Sequence, residues 1–138
     1  MIGLDTNVLA RYYIQDEGDA ETNAQRITSK KLIESGKPLM VGKTVLLELE
    51  WVMRGFYGFN VTQITQVFDH LLNLPQVIIE DKPLVEKAIA QLTAGFDFAD
   101  ALHHASYIAC DSMATFDDKK FARRAKRLAL IPRVYIPT

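Results

Sequence analysis

The chain has 138 residues, of which 49% are hydrophobic and 24% charged, a composition that suits one soluble globular domain with a single sizeable core. Its formal net charge of −1 gives no global pull toward nucleic acid, so any such binding must rest on a local patch. No apolar stretch approaches the roughly 20 residues that span a bilayer, the start Met1-Ile2-Gly3-Leu4-Asp5 lacks the regions of a signal peptide, and the single cysteine, Cys110, excludes an internal disulfide; a cytoplasmic protein with no membrane attachment is expected.

Residues 2–4 read as a very short strand, followed by a helix from Thr6 or Asn7 to about Tyr13 and a polar loop at 15–19. A second helix over 20–34 ends at Ser35-Gly36, a glycine cap, and 38–41 form the next strand. Thr44 is placed to cap a very apolar helix that runs to about Phe56, with Gly55 and Gly58 marking its end. Val61, Ile64, Val67, Phe68, Leu71 and Leu72 keep the 3,4 spacing of an amphipathic helix. A strand or extended link at 76–79 leads to Asp81, a cap for a helix beginning near Pro83 with the stripe Leu84, Val85, Ala88, Ile89 and Leu92. Asp97 can cap the next helix, with Phe98, Leu102, Ala105 and Ala109 inward and Cys110 a small buried residue on it. A strand at 112–115, a helix at 118–128 and a last strand at 133–136 complete the chain. Short strands alternating with helices predict a single α/β domain over 1–138, with a short central parallel sheet covered by helices on both faces.

Four acids stand out against this frame: Asp5, Glu48, Asp100 and Asp117. A carboxylate flanked by apolar residues costs several kcal/mol to take from water unless something pairs it, and a hard divalent cation takes oxygen ligands and neutralises clustered like charges. Asp5 and Asp117 fall just beyond strand ends, where ligands bind in open α/β sheets, and Glu48 and Asp100 lie within a turn or so of helix starts. Asp5 could equally be a simple helix cap. Glu48 has Val45, Trp51 and Val52 as helical neighbours and is the stronger candidate than Glu50, which has Arg54 at i+4 for a surface pair. Asp97 takes the capping role beside Asp100, with a supporting part at the site; Asp117 takes the site and Asp118 the cap.

Other features point less sharply. His103 and His104 follow Asp100 at i+3 and i+4, but only His70 could join them, so zinc is a poor second to Mg²⁺ or Mn²⁺ and a hydrogen-bonded histidine is the better expectation for each. Six of the sixteen Lys and Arg residues lie between Lys119 and Arg127; they form either a solvated helix face or a groove for a phosphate backbone beside the acids. Trp51, Phe56, Tyr57 and Phe59 are expected to be mostly core, with any exposed remainder a dimer or partner surface.

Taken in order, Leu4-Asp5-Thr6-Asn7-Val8-Leu9, Leu47-Glu48-Leu49-Glu50-Trp51-Val52, Asp97-Phe98-Ala99-Asp100-Ala101-Leu102-His103 and Ala114-Thr115-Phe116-Asp117-Asp118-Lys119-Lys120-Phe121 resemble a PIN-domain ribonuclease, most closely the VapC toxins of bacterial toxin–antitoxin pairs. The resemblance covers nearly the whole chain. It implies an acidic quartet at Asp5, Glu48, Asp100 and Asp117, with Asn7 and Thr115 in supporting places. It implies hydrolysis of RNA by one or two Mg²⁺ or Mn²⁺ ions that lower the pKa of a water and align it for in-line attack. A homodimer and a small antitoxin partner are further implications.

A receiver domain would want paired N-terminal acids, and a haloacid-dehalogenase-type phosphatase would want Asp-x-Asp where this chain has Asp5-Thr6-Asn7. The alternative from another class is a PIN-like module that binds RNA or a protein without cutting. Four retained carboxylates argue against it, since pure binding gains nothing from clustered like charge.

Overall fold

A computed structural model describes all residues, Met1–Thr138. It is a mixed α/β structure with seven helices and five short strands, all paired in parallel. No helix is long and apolar enough to cross a membrane. The chain divides into two compact units, Met1–Lys82 and Pro83–Thr138.

In the first unit, β1 (Ile2–Gly3), β2 (Leu39–Val41) and β3 (Val77–Ile79) form a sheet with β2 central. The helices are α1 (Thr6–Tyr13), α2 (Ala20–Ile33), α3 (Lys43–Trp51) and α4 (Val61–Leu72). Local chemistry sets their ends. Asp19 accepts the Thr22 N–H at 2.8 Å to start α2, and Gly36, at φ +79°, stops the chain after it. Asn60 and Gln63 make a reciprocal capping box at α4, with bonds of 2.8 and 2.9 Å. The core is built from Leu9, Ile33, Leu39, Val41, Leu46, Leu49, Met53, Ile64, Phe68 and Leu71, all buried; each full burial of such a side chain is worth about 1.5–3 kcal/mol.

Several expectations are corrected here. The sheet is not covered on both faces: Met40 and Ile78, register partners on one face, are exposed, while Leu39, Val41, Val77 and Ile79 on the other are buried. β2 and β3 alternate inward and outward along their three residues, and only the inward set is buried, while both residues of β1 are exposed. Gly42, not Thr44, is the N-cap of α3. Asp81 does not cap α5; its backbone is left-handed, at φ +48°, and its carboxylate pairs with Lys43 at 2.6 Å.

The second unit holds α5 (Lys82–Thr93, entering from the boundary), α6 (Phe98–Ser106), β4 (Ser112–Ala114), α7 (Arg123–Arg127) and β5 (Arg133–Tyr135). α5 buries Val85, Ala88, Ile89 and Leu92. It closes in a Schellman-type turn: Gly95 donates to Leu92 and Phe96 to Gln91, at 3.1 and 3.0 Å, with Gly95 at φ +106°. Phe96 then packs edge-to-face on Phe121 at 6.0 Å, and the chain arrives at Asp97 ready to begin α6. β4 and β5 pair with each other in a separate two-stranded sheet; thus the strands form sheets of three and two. α6 stops at Ser106, a turn earlier than the apolar spacing suggests, so Ala109 and Cys110 lie beyond it and are exposed.

Candidate active site

In the first unit, α1 and α3 bring Asp5 and Glu48 to one cavity of about 310 Å³, shared with Thr6, Asn7, Arg11, Phe56 and Tyr57. Asp5 ends the link from β1, and its Oδ1 accepts the Thr6 N–H at 2.7 Å. It is thus a helix cap, as its position allowed, with its second oxygen open to the cavity. Glu48 is exposed on α3 because Leu46, Leu49 and Met53 occupy the inward stripe; its carboxylate has no donor in the protein. The Thr6 hydroxyl is buried beside Asp5 and has no hydrogen-bond partner. A larger cleft of about 560 Å³, lined by residues that include Tyr12, Tyr13, Arg26 and His70, contains none of the four acids.

In the second unit, α6 carries Asp100 and the end of β4 delivers Asp117. Asp97 caps α6 by accepting the Asp100 N–H at 3.2 Å, which fixes the turn that bears Asp100. Thr115 Oγ1 accepts the Asp117 N–H at 3.1 Å, and Asp117 Oδ1 accepts the Lys120 N–H at 2.9 Å. The capping role expected of Asp118 therefore belongs to Asp117, whereas Asp118 pairs with Arg123 at 2.8 Å. Partial burial first, then the charges of Asp97 and Asp117, hold the Asp100 carboxyl above its ordinary value; His103 acts weakly the other way.

Neighbouring residues sort themselves by their partners. Glu50, expected in a surface pair, is 2% exposed and takes Arg54 Nε on both oxygens, at 3.0 and 3.2 Å. Position 50 follows Leu46 by four and precedes Met53 by three, so it falls on the inward stripe. His104 is buried, with Nε2 donating to the Pro132 carbonyl at 2.7 Å; since a carbonyl only accepts, that nitrogen carries the proton. His70 Nδ1 meets the Tyr13 hydroxyl at 2.7 Å. Of the basic run, Arg123 is held by Asp118 and Arg124 by the Gly95 carbonyl, while Lys119, Lys120, Lys126 and Arg127 stay exposed. Trp51, Phe56 and Tyr57 are not core: they are 54%, 74% and 37% exposed. A π-helical turn, Val52–Phe56, follows α3 directly, and its wider winding carries Phe56 and Tyr57 away from the inward stripe; a sequence read as a regular helix misses this.

Within each unit, two carboxylates offer the kind of oxygen donors that a hard divalent cation takes. Each of the four acids keeps at least one oxygen without a protein donor, Asp100 and Asp117 repel one another, and the orphaned Thr6 hydroxyl would be satisfied by a hydrating water. With His104 committed to Pro132, His103 is the one nitrogen donor left near Asp100, and a set dominated by carboxylate oxygens suits Mg²⁺ or Mn²⁺ better than zinc. Neither unit gathers three His, Cys, Asp or Glu side chains into a ready metal cage. No family model and no curated protein matches the chain.

Proposed function

We propose that this protein is a Mg²⁺- or Mn²⁺-dependent endoribonuclease with a PIN-like fold, similar to VapC toxins. The observation that carries the proposal is the pair of two-carboxylate groups, Asp5 with Glu48 in one cavity and Asp100 with Asp117 coupled by charge, each acid keeping an oxygen without a protein donor. The proposed ligands are Asp5 and Glu48 in the first unit and Asp100 and Asp117 in the second. When bound, the cation lowers the pKa of water and offsets negative charge on the scissile phosphate.

The chain's own residues then do three things. Asp97 and Thr115 position Asp100 and Asp117 through backbone hydrogen bonds. The raised proton affinity of Asp100 makes an uncharged state cheaper there when no cation is present, which limits repulsion in the empty site. Lys119, Lys120, Lys126 and Arg127 offer phosphate contacts that position a strand without reading its sequence. A homodimer and an antitoxin that blocks the acids belong to the same proposal.

Purified protein incubated with total RNA and with tRNA, in Mg²⁺, in Mn²⁺ and in EDTA, tests it. Asp100→Asn, purified identically, guards against a contaminating nuclease. Discrete fragments with 5′-phosphate ends, absent in EDTA and in the variant, are expected. RNA bound equally well with and without Mg²⁺, and never cut, would point instead to the binding module.

A further inference from the structure

We propose that His104 is a positioning residue that holds the segments bearing Asp100 and Asp117 in one fixed relation. The inference rests on the nuclease proposal and adds to it how the second carboxylate pair is held. His104 lies one helical turn beyond Asp100 on α6 and is 2% exposed. Its Nε2 is committed to Pro132 and its Nδ1 is buried, so it acts on the acids through the backbone that carries them.

Two contacts leave α6 from this ring. Nε2 donates to the Pro132 carbonyl, 28 residues away, at 2.7 Å, and the ring meets Phe121 edge-to-face at 6.4 Å. Each contact leads to Asp117 by a different path. Pro132 precedes β5, whose Arg133, Val134 and Tyr135 pair with Ser112, Met113 and Ala114 of β4. The Tyr135 carbonyl then accepts the Thr115 N–H at 3.0 Å, and Thr115 Oγ1 in turn accepts the Asp117 N–H. Phe121 belongs to the π-helical turn Asp118–Ala122, which Asp117 caps through the Lys120 N–H. The same Phe121 ring packs on Phe96, next to the Asp97 that caps α6.

A circuit thus runs from Asp100 through His104 to Asp117, and across it the two carboxylates repel. Like charges move apart unless the backbone that carries them is restrained, and oxygen ligands serve a cation only when their outer partners orient them. The choice of side chain supports the role. The buried Nδ1 has no partner, a cost that leucine at this position would avoid. What histidine supplies and leucine cannot is the N–H aimed at Pro132. Local rules broken in this way mark positions kept for function.

The full-length protein is tested as wild type, His104→Leu, His104→Asn and His104→Gln, for RNA cleavage in Mg²⁺ and for Mn²⁺ binding by paramagnetic resonance. Glutamine can carry an amide N–H to the place of Nε2, asparagine falls one methylene short, and leucine has no donor. His104→Leu and His104→Asn should each lose about tenfold in kcat and in Mn²⁺ affinity, the scale for removing an outer partner of a metal-holding group. KM for RNA should stay unchanged, and His104→Gln should recover most of both losses. Each variant is assayed well below its own unfolding temperature, fixed by circular dichroism. Where His104→Leu does not fold, the asparagine and glutamine variants decide alone. Wild-type kcat and Mn²⁺ affinity in His104→Asn would overturn the positioning role and leave the nuclease proposal standing. Equal losses in His104→Asn and His104→Gln would also overturn it, leaving the ring's packing on Phe121 as its contribution. Wild type that neither cuts RNA nor binds Mn²⁺ removes both.

Discussion

The two carboxylate pairs are built on different principles. Asp5 and Glu48 stand in an open cavity with aromatic walls and a buried hydroxyl that lacks a partner. Asp100 and Asp117 are fastened by Asp97 and Thr115, and Asp100 is half-buried under like charge. The first pair stands open to solvent on an exposed helix face, and the second sets two like charges near one another, one of them partly buried. Under the proposed function the first would meet the substrate strand and a cation would offset the charge of the second.

The comparison can be broken most severely at activity. Asp100→Asn and Glu48→Gln should each reduce RNA cleavage on the order of 100-fold or more, the scale for removing one electrostatic stabiliser of the transition state. A gel assay of labelled RNA measures this, and an unimpaired Glu48→Gln would detach the first pair from the chemistry.

Stability separates neighbours next. Glu50→Ala removes the partner that holds Arg54 and should lower the free energy of unfolding by about 1–3 kcal/mol, whereas Glu48→Ala, on the exposed side of the same helix, should leave it nearly unchanged. Urea denaturation in EDTA checks both. In the same assay Asp5→Ala should cost about 1 kcal/mol by uncapping α1, while Thr6→Val, which deletes an unsatisfied hydroxyl, should be neutral or stabilising by about 1 kcal/mol.

The smallest effect is defined by its sign. Folding raises the Asp100 pKa, so the folded state binds that proton more tightly than the unfolded chain does. Its contribution therefore favours folding while the group is protonated and turns unfavourable as pH rises through the raised value. In EDTA, Asp100→Asn should be more stable than wild type at neutral pH and lose that advantage in acid. Added Mn²⁺ should stabilise wild type and not the variant.

Most elements were legible because caps and periodicity agree: Asp97 caps where expected, Gly36 follows the end of α2, and most of the expected stripes of α4 and α5 are buried, Val61 being exposed at the start of α4. Legibility failed where geometry departs from a regular helix or where two nearby acids compete. The π turn turned expected core aromatics outward. Asp117 took the capping role expected of Asp118, which Arg123 holds instead. Glu50 was misread because an i,i+4 arginine was given more weight than the inward stripe of Leu46, Leu49 and Met53. The four site acids were chosen from order and spacing; what supports their grouping into pairs is the shared cavity and the mutual charge effect.

If both carboxylate pairs serve one cation-dependent cleavage, a double-mutant cycle of RNA cleavage exposes the coupling. Asp5→Asn, Asp100→Asn and the double variant would be assayed in saturating Mg²⁺ against wild type. Groups that act as a unit are strongly non-additive, so the double variant should be nearly as active as the worse single one. Full activity in Asp5→Asn, or losses that simply multiply, would contradict one shared cleavage.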